Sequence, residues 1–513
     1  LRDYLGNFEK NLSKLSKEME FLQKKSNTLD DEIKDKKLIE KKLTPIINDL
    51  IIPPDVVKSI LNDRIDAKWC ENLKFIAEKK EIYSKYQSNE ETNLTSIKEL
   101  SAIVEKLILK CIERIRNYMV NQVKLLRASG VPSQVIQQHL LEVEEIYSFL
   151  LIHHKELALE LRQAYINTMK WFYHSYFTKY LYSLERLNIH QIGKHMLLGN
   201  SNEDLVSSST NNGNSFKLFN SSSNRLHPNS INTSNNDNAA NNFHASGSSR
   251  PILLNEYLNL GDRGSIITTV DPTVILAQIA ENNQLTYWME FSFKNFNLAL
   301  LDNVCVEYLF LGEFFKLQNG EQNDICNNIF DKTFKLGIDY TKYLISDSYD
   351  SYGILICIRL SQSFEFELQH RRIPIMEDYL NLQMIELWPK FQKLVDLNCE
   401  NMKKVLTKKS SLLPGNDSSR IIPVPLTQQF AKYLTGLLNL TTNSVSETAL
   451  TEPISSSIQR LTNDFEIVLN KLNNLINKKN ESNKKELFLY NNYYLVYTSL
   501  SLMDSKLAIQ EKE

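Results

Sequence analysis

The densest group of metal-ligand residue types in this chain is His153-His154 with Glu156. Neighbouring residues on a helix point about 100° apart, so two adjacent histidines and a glutamate cannot easily close on one ion. Arg371-Arg372, just before Ile373-Pro374, are of the type that holds a phosphate at a helix entrance, although ordinary ion-pairing arginines are the plainer reading. The run ALLDNVCVEYLFLGEFF, residues 299–315, sets Asp302, Glu307, Glu313 and Cys305 inside one of the most apolar stretches. Asp302 and Glu313 share a helical face, but at about 1.5 Å rise per residue they stand roughly 16 Å apart. A working carboxylate pair needs roughly 5–10 Å. The sequence has no GxxxxGK(S/T), GxGxxG, GxSxG or HExxH pattern and no paired Glu-x-x-His motifs of the helical di-iron kind. The expectation is a non-enzymatic protein with no catalytic, cofactor-binding or metal site.

The elements that would have to position any such groups are helices. Only 14 Gly and 13 Pro occur in 513 residues, and alternating strand patterns are scarce, so the chain is expected to be all-α. The 299–315 run fits this. At the helical period Leu301, Val304, Cys305, Tyr308, Leu311 and Phe315 form a core-facing side, with Asp302, Asn303, Glu307 and Glu313 on the other. A membrane span is the poorer reading, because each central acid costs roughly 2.5–3.5 kcal/mol on insertion scales. The aromatic block 160–187 carries a stripe of Tyr165, Met169, Phe172, Tyr176, Tyr180 and Leu184, widened by Trp171, Tyr173 and Phe177. Such a stripe can stack single-stranded nucleic acid, yet at helical spacing a core role is expected.

The sharpest periodic signal opens the chain. Leu5, Phe8, Leu12, Leu15, Met19, Leu22, then Ser26, Leu29 and Ile33 alternate spacings of three and four, the seam of a left-handed coiled coil. The other faces are Lys, Glu, Asp, Asn and Ser, so the stripe is too narrow for an ordinary core and is expected to be an assembly site for partner helices. Lys36 and Glu40 break the pattern, and Pro45 with Pro53-Pro54 is expected to stop the rod near residue 50.

Charge and cysteines exclude little more. With 59 Lys plus Arg against 61 Asp plus Glu, the net charge of −2 argues against a nucleic-acid partner. The six cysteines are widely spaced without a CxxC pair, as expected of reduced thiols in a cytosolic setting. No secretory signal and no long uncharged apolar stretch is visible, and a start at Leu1 is expected of a fragment. The expected organisation is a coiled-coil helix over 1–50, a helical connector over 51–129, and a bundle with the aromatic stripe over 130–199, whose first helix Ser133 is expected to cap. A disordered Asn/Ser-rich insertion over 200–250, a second bundle over 251–407, loops with a short helix over 408–457 and C-terminal helices over 458–513 complete it.

Five segments carry a family resemblance. LIIPPDVVKSIL (50–61), ELRQAYINTMKWFYHSYFTKYL (160–181), GDRGSIITTV (261–270), ALLDNVCVEYLFLGEFF and HRRIPIMEDYLNLQMIELWPKFQKLVDLN (370–398) together resemble the vacuolar protein sorting fifty-two subunits of GARP, the Golgi-associated retrograde protein complex. The likeness covers nearly the whole chain outside the loops, and the Asn/Ser insertion departs from the compact family pattern. It implies stacked helical bundles of the multisubunit-tether type and a non-enzymatic tether for endosome-derived carriers at the trans-Golgi network. It also implies hetero-oligomeric partner subunits joined through the N-terminal helix, a Rab GTPase and SNAREs as further partners, and a peripheral place on the cytosolic face of the trans-Golgi network and endosomes. The readings that share the physics are an exocyst-like or cytoskeletal scaffold and, from another class, a helical lipid-binding protein with an enclosed apolar cavity.

Overall fold

A computed structural model describes residues 2–88, 95–128, 132–200, 245–246, 252–269, 286–406, 422–442, 453–475 and 482–501. The chain is all-α, with a long N-terminal helix ahead of packed helices, and it divides into two compact units. The first comprises Leu1–Thr168 with Glu313–Lys316; the second comprises Met169–Gly312 and Leu317–Glu513.

In the first unit, α1 runs from Arg2 to Leu50 as one helix of 49 residues. Pro45 lies inside it, and the helix runs on to Leu50, close to where the rod was expected to stop. A proline removes one N–H and crowds the carbonyl four residues back, a local cost the adjoining turns can carry where that carbonyl faces water. The helix ends just before Pro53 and Pro54, where α2 (Pro54–Asn62) begins with a proline in its first turn. α2 packs with α3 (Ala67–Ser88) and α4 (Thr95–Leu125) around Ile60, Trp69, Leu73, Ile76, Cys111 and Ile115. The guanidinium of Arg114 donates to the carbonyls of Ile60 and Asp63, satisfying acceptors that the end of α2 leaves open. α5 (Ser133–Leu141), α6 (Glu145–His153) and the first half of α7 (Lys155–Glu185) complete the unit. Ser133 is already helical and buried, and Pro132 precedes it with no side-chain cap, so the expected serine cap is absent. Gly130 and Val131 lie outside the described residues.

In the second unit, α7 shows which aromatic residues are core. Tyr173, Phe177, Tyr180, Leu181 and Leu184 are buried, while Trp171 and Tyr176 are 53% and 46% exposed, so the expected stripe was centred too far round the helix. Three two-residue strands, β1 (Asn188–Ile189), β2 (Ala245–Ser246) and β3 (Thr286–Tyr287), form a small sheet with β3 in the middle, parallel to β1 and antiparallel to β2. β2 sits at the end of the Asn/Ser-rich stretch; the expectation of disorder for 201–244 and 247–250 falls outside the described residues. A short helix α8 (Leu254–Tyr257) and a 3-10 turn, Gly261–Ile267, lead to the larger helices.

These are α9 (Met289–Phe315), α10 (Asn319–Ser346), α11 (Ser351–Arg371), α12 (Glu377–Lys404), α13 (Pro425–Thr442), α14 (Pro453–Leu475) and α15 (Ser482–Leu500). Ser351–Ser361 of α11 is buried on every side, which is why this stretch reads apolar all round. α12 packs against α10, α11 and α14, and α13 against α11 and α15. α9 has its expected core side, with Leu301, Val304, Cys305 and Leu311 buried and Tyr308 half-buried. Glu307, assigned by period to the solvent side, is fully buried and accepts a hydrogen bond from the Tyr173 hydroxyl at 2.9 Å. All six cysteines are free and buried.

Candidate assembly site

The residues singled out for chemistry do not converge. His153 ends α6, with Nδ1 3.3 Å from Nζ of Lys80, and burial first and that cation second hold its imidazole below the usual histidine range. His154 instead caps the next helix, its Nδ1 accepting the Leu157 N–H at 3.2 Å. Among the described residues no group of three His, Cys, Asp or Glu side chains could hold a metal. Arg371 and Arg372 close α11 rather than open α12. Arg371 donates to Glu367 at 2.8 Å, and Arg372, at φ 57°, takes the left-handed position that terminates the helix. Asp302 faces Arg371 at 3.7 Å, and burial raises its carboxyl, against the pull of that arginine.

What does converge is the seam of α1. Leu5, Phe8, Leu12, Leu15, Met19, Leu22, Leu29 and Ile33 stand along it, each 48–65% exposed, and no residue of the helix is buried. Forty-nine residues at about 1.5 Å each make a rod of roughly 74 Å. The same register, interrupted by Lys36 and Glu40, resumes at Leu43, Ile47 and Leu50. Taking Lys36 and Glu40 as the break in the pattern hid this continuation, although the spacing was there to find. Contacts along the polar faces are local, such as Lys24 with Glu20 at 2.9 Å and Lys34 with Asp31 at 3.2 Å. Exposed pairs of this kind contribute little to stability, so the apolar seam carries the energetic case for a partner.

A second set of residues, with no signal in the local sequence, fixes the base of the rod. Lys79 on α3 donates to the carbonyls of Asn48 at 2.6 Å and Asp49 at 3.0 Å, and the Tyr83 hydroxyl donates to that of Leu50 at 2.8 Å. The Tyr86 hydroxyl donates to the Asp49 carboxylate at 2.8 Å. The last carbonyls of a helix lack intrahelical donors, and α3 supplies them, placing a cation where the helix dipole is negative. That hydrogen bond raises the Tyr86 phenol, and burial raises that of Tyr83. Lys79→Met should cost about 1.5–3 kcal/mol, the range for hydrogen bonds to a charged group. The expected readout is a lower melting temperature with faster protease cleavage at Ile51-Ile52; unchanged cleavage would show the clamp to be idle.

A third constellation is buried in the second unit. Arg263 donates to both carboxylate oxygens of Glu290 at 2.8 and 2.9 Å and to Asp350 at 2.7 Å, while its guanidinium lies 3.6 Å above the Trp288 ring. Asp350 also caps α11 by accepting the Gly353 N–H at 2.9 Å. Burial raises the Glu290 carboxyl, and Arg263 opposes the rise. The arginine is consumed by its two acids and nearly closed to solvent, which makes this a joint between α9, the 3-10 turn and α11.

Residues 229–513 match the family model described as Vps52, C-terminal, and residues 1–150 match Vps52/Sac2 family, coiled-coil. Vacuolar protein sorting-associated protein 52 of Saccharomyces cerevisiae is 38% identical over 525 residues, covering 98% of this chain and 79% of the relative. The protein of the same name from Schizosaccharomyces pombe is 31% identical over 513 residues, covering 99% and 91%. A human homolog is 23% identical over 443 residues, covering 86% and 55%.

Proposed function

The chain belongs to the Vps52 family, and from that premise we propose that it is a non-enzymatic subunit of the GARP vesicle-tethering complex, acting in retrograde transport from endosomes to the trans-Golgi network. The observation that carries this reading is the uncovered seam of α1, which lies in the part of the chain that matches a coiled-coil family model. Alternating three-four spacing selects a partner of the same kind, another helix with its own apolar stripe, and membership of the family makes the other subunits of a hetero-oligomer the assembly partners. The eight residues Leu5, Phe8, Leu12, Leu15, Met19, Leu22, Leu29 and Ile33 form the contact, and Leu43 and Ile47 extend it. The domain boundaries expected from sequence stand with this reading: a rod to residue 50, then bundles interrupted by loops.

Among the described residues no helix is long and apolar enough to cross a membrane. A peripheral place on the cytosolic face of the trans-Golgi network and endosomes, reached through the other subunits, a Rab GTPase and SNAREs, suits that. The lipid-binding alternative draws no support from the groove of about 700 Å³ in the second unit, which is rimmed by charged side chains. The test is an affinity purification of the tagged chain from cells, with co-purifying chains identified by mass. Recovery of stoichiometric tether subunits is expected. A set made of exocyst or cytoskeletal chains would replace the reading, and recovery of a Rab only when it is loaded with GTP would define the finer partner.

A further inference from the structure

α10 and α12 leave a groove of about 700 Å³ between them in the second unit. Its lining on α10 runs from Asn327 to Lys342, about 22 Å at 1.5 Å per residue, the length of a four-turn helix. The floor is apolar: Phe334, Ile338, Ile375 and Leu382, with the Phe334 and Tyr379 rings stacked at 5.1 Å. Leu382 is 52% exposed and the adjoining Ile385 64%, so the apolar strip continues onto the open side of α12. Scattered single apolar residues need no explanation, but a strip running along a concave floor does.

The rim has a sign. Asp331, Asp339, Asp378 and Glu386 face only Lys335 and Lys342. Lys335 is held by Asp331 at 3.1 Å and Lys342 by Glu386 at 3.3 Å. Asp339 and Asp378 are exposed and carry no ion pair among the described residues. Two unneutralised carboxylates flanking an apolar floor repel anionic headgroups and acidic peptides and attract cations.

We infer that this groove is a docking site for a single amphipathic helix of a partner protein, with apolar residues at i, i+3, i+4 and i+7 on one face and Lys or Arg beside them. The apolar face fills the trough over Phe334, Ile338 and Leu382, and the flanking cations reach Asp339 and Asp378, the helix-in-groove mode of recognition. The inference is independent of the seam, because groove and rod share no residue.

The probe is a fluorescein-labelled amphipathic helix of Leu and Lys, about 15 residues long to match the groove, titrated into the full chain and followed by anisotropy, beside a counterpart with Glu in place of Lys. The Lys helix is expected to bind and the Glu helix not. Leu382→Asp should weaken binding by roughly tenfold or more, as loss of a central anchor does. Asp339→Lys with Asp378→Lys should invert the preference in favour of the Glu helix. Both substitutions are at exposed positions, and Glu105→Lys with Glu160→Lys, equal in charge change but at exposed residues that do not line the groove, should alter binding little. Failure of the Lys helix to bind, or binding indifferent to the groove variants, would overturn the proposal, as would capture of the chain by anionic vesicles that Leu382→Asp abolishes.

Discussion

Leu12→Asp with Leu15→Asp is expected to abolish co-purification of the partner subunits while leaving the thermal unfolding of the chain unchanged. Leu12 and Leu15 are successive positions of the seam, 52% and 61% exposed in the isolated chain. In a coiled coil each fills a hole between four residues of the facing helix. Removing two such leucines forfeits about 1.5–3 kcal/mol each, and two carboxylates then stand where they can neither hydrate nor pair. The combined loss, on the order of 5 kcal/mol or more, is at least three powers of ten in an association constant. In the free chain the same positions face water, and surface substitutions of this kind usually stay within about 0.5 kcal/mol. Two measurements on one variant therefore separate the possibilities. Partners recovered at the level of the unaltered chain would show that α1 is not the assembly element. A collapsed melt would show that the stripe packs within the chain.

The seam and the all-helical class were legible because both depend on period, which a single strand of sequence displays in full. What escaped depends on partners distant in the chain. Glu307 was placed on the wetted side of α9 by period alone, yet the Tyr173 hydroxyl, 134 residues away in sequence, makes its burial tolerable. Trp171 and Tyr176 were drawn into a core stripe because they are large and aromatic, while the packed side of α7 is set by neighbours that a helical wheel does not contain. Lys36 and Glu40 were taken as the end of the apolar register, though Leu43, Ile47 and Leu50 carry it on through a helix that Pro45 does not break. The clamp of Lys79 and Tyr83 on the end of α1 spans 30 to 33 residues, and the groove between α10 and α12 exists only once the two helices are side by side. Sequence marks which side of an element is apolar; which polar residue that side also hides is decided by the element packed against it.

The joint at Arg263 is the strongest case of such a distant dependence. Its partners lie 27 and 87 residues away, and all three side chains are almost closed to solvent. Arg263→Met keeps the volume of the side chain and removes the charge, leaving the Glu290 and Asp350 carboxylates buried together. Breaking a buried pair this way costs about 3–5 kcal/mol, more than the pair contributes relative to an apolar replacement. The melting temperature of the second unit is therefore expected to fall by several degrees, and Arg263→Met with Glu290→Gln should recover part of the loss because one stranded charge is gone. The pH dependence has a definite sign. Without the arginine, burial and the neighbouring Asp350 carboxylate hold the Glu290 carboxyl above its unfolded value, so the folded variant binds more protons than the unfolded one and loses stability as pH rises from the ordinary carboxylate range. The gap between variant and unaltered chain should thus be narrower at acidic than at neutral pH. A gap independent of pH, or a double variant less stable than the single one, would mean that Arg263 acts through its packing on Trp288 and not through its two acids.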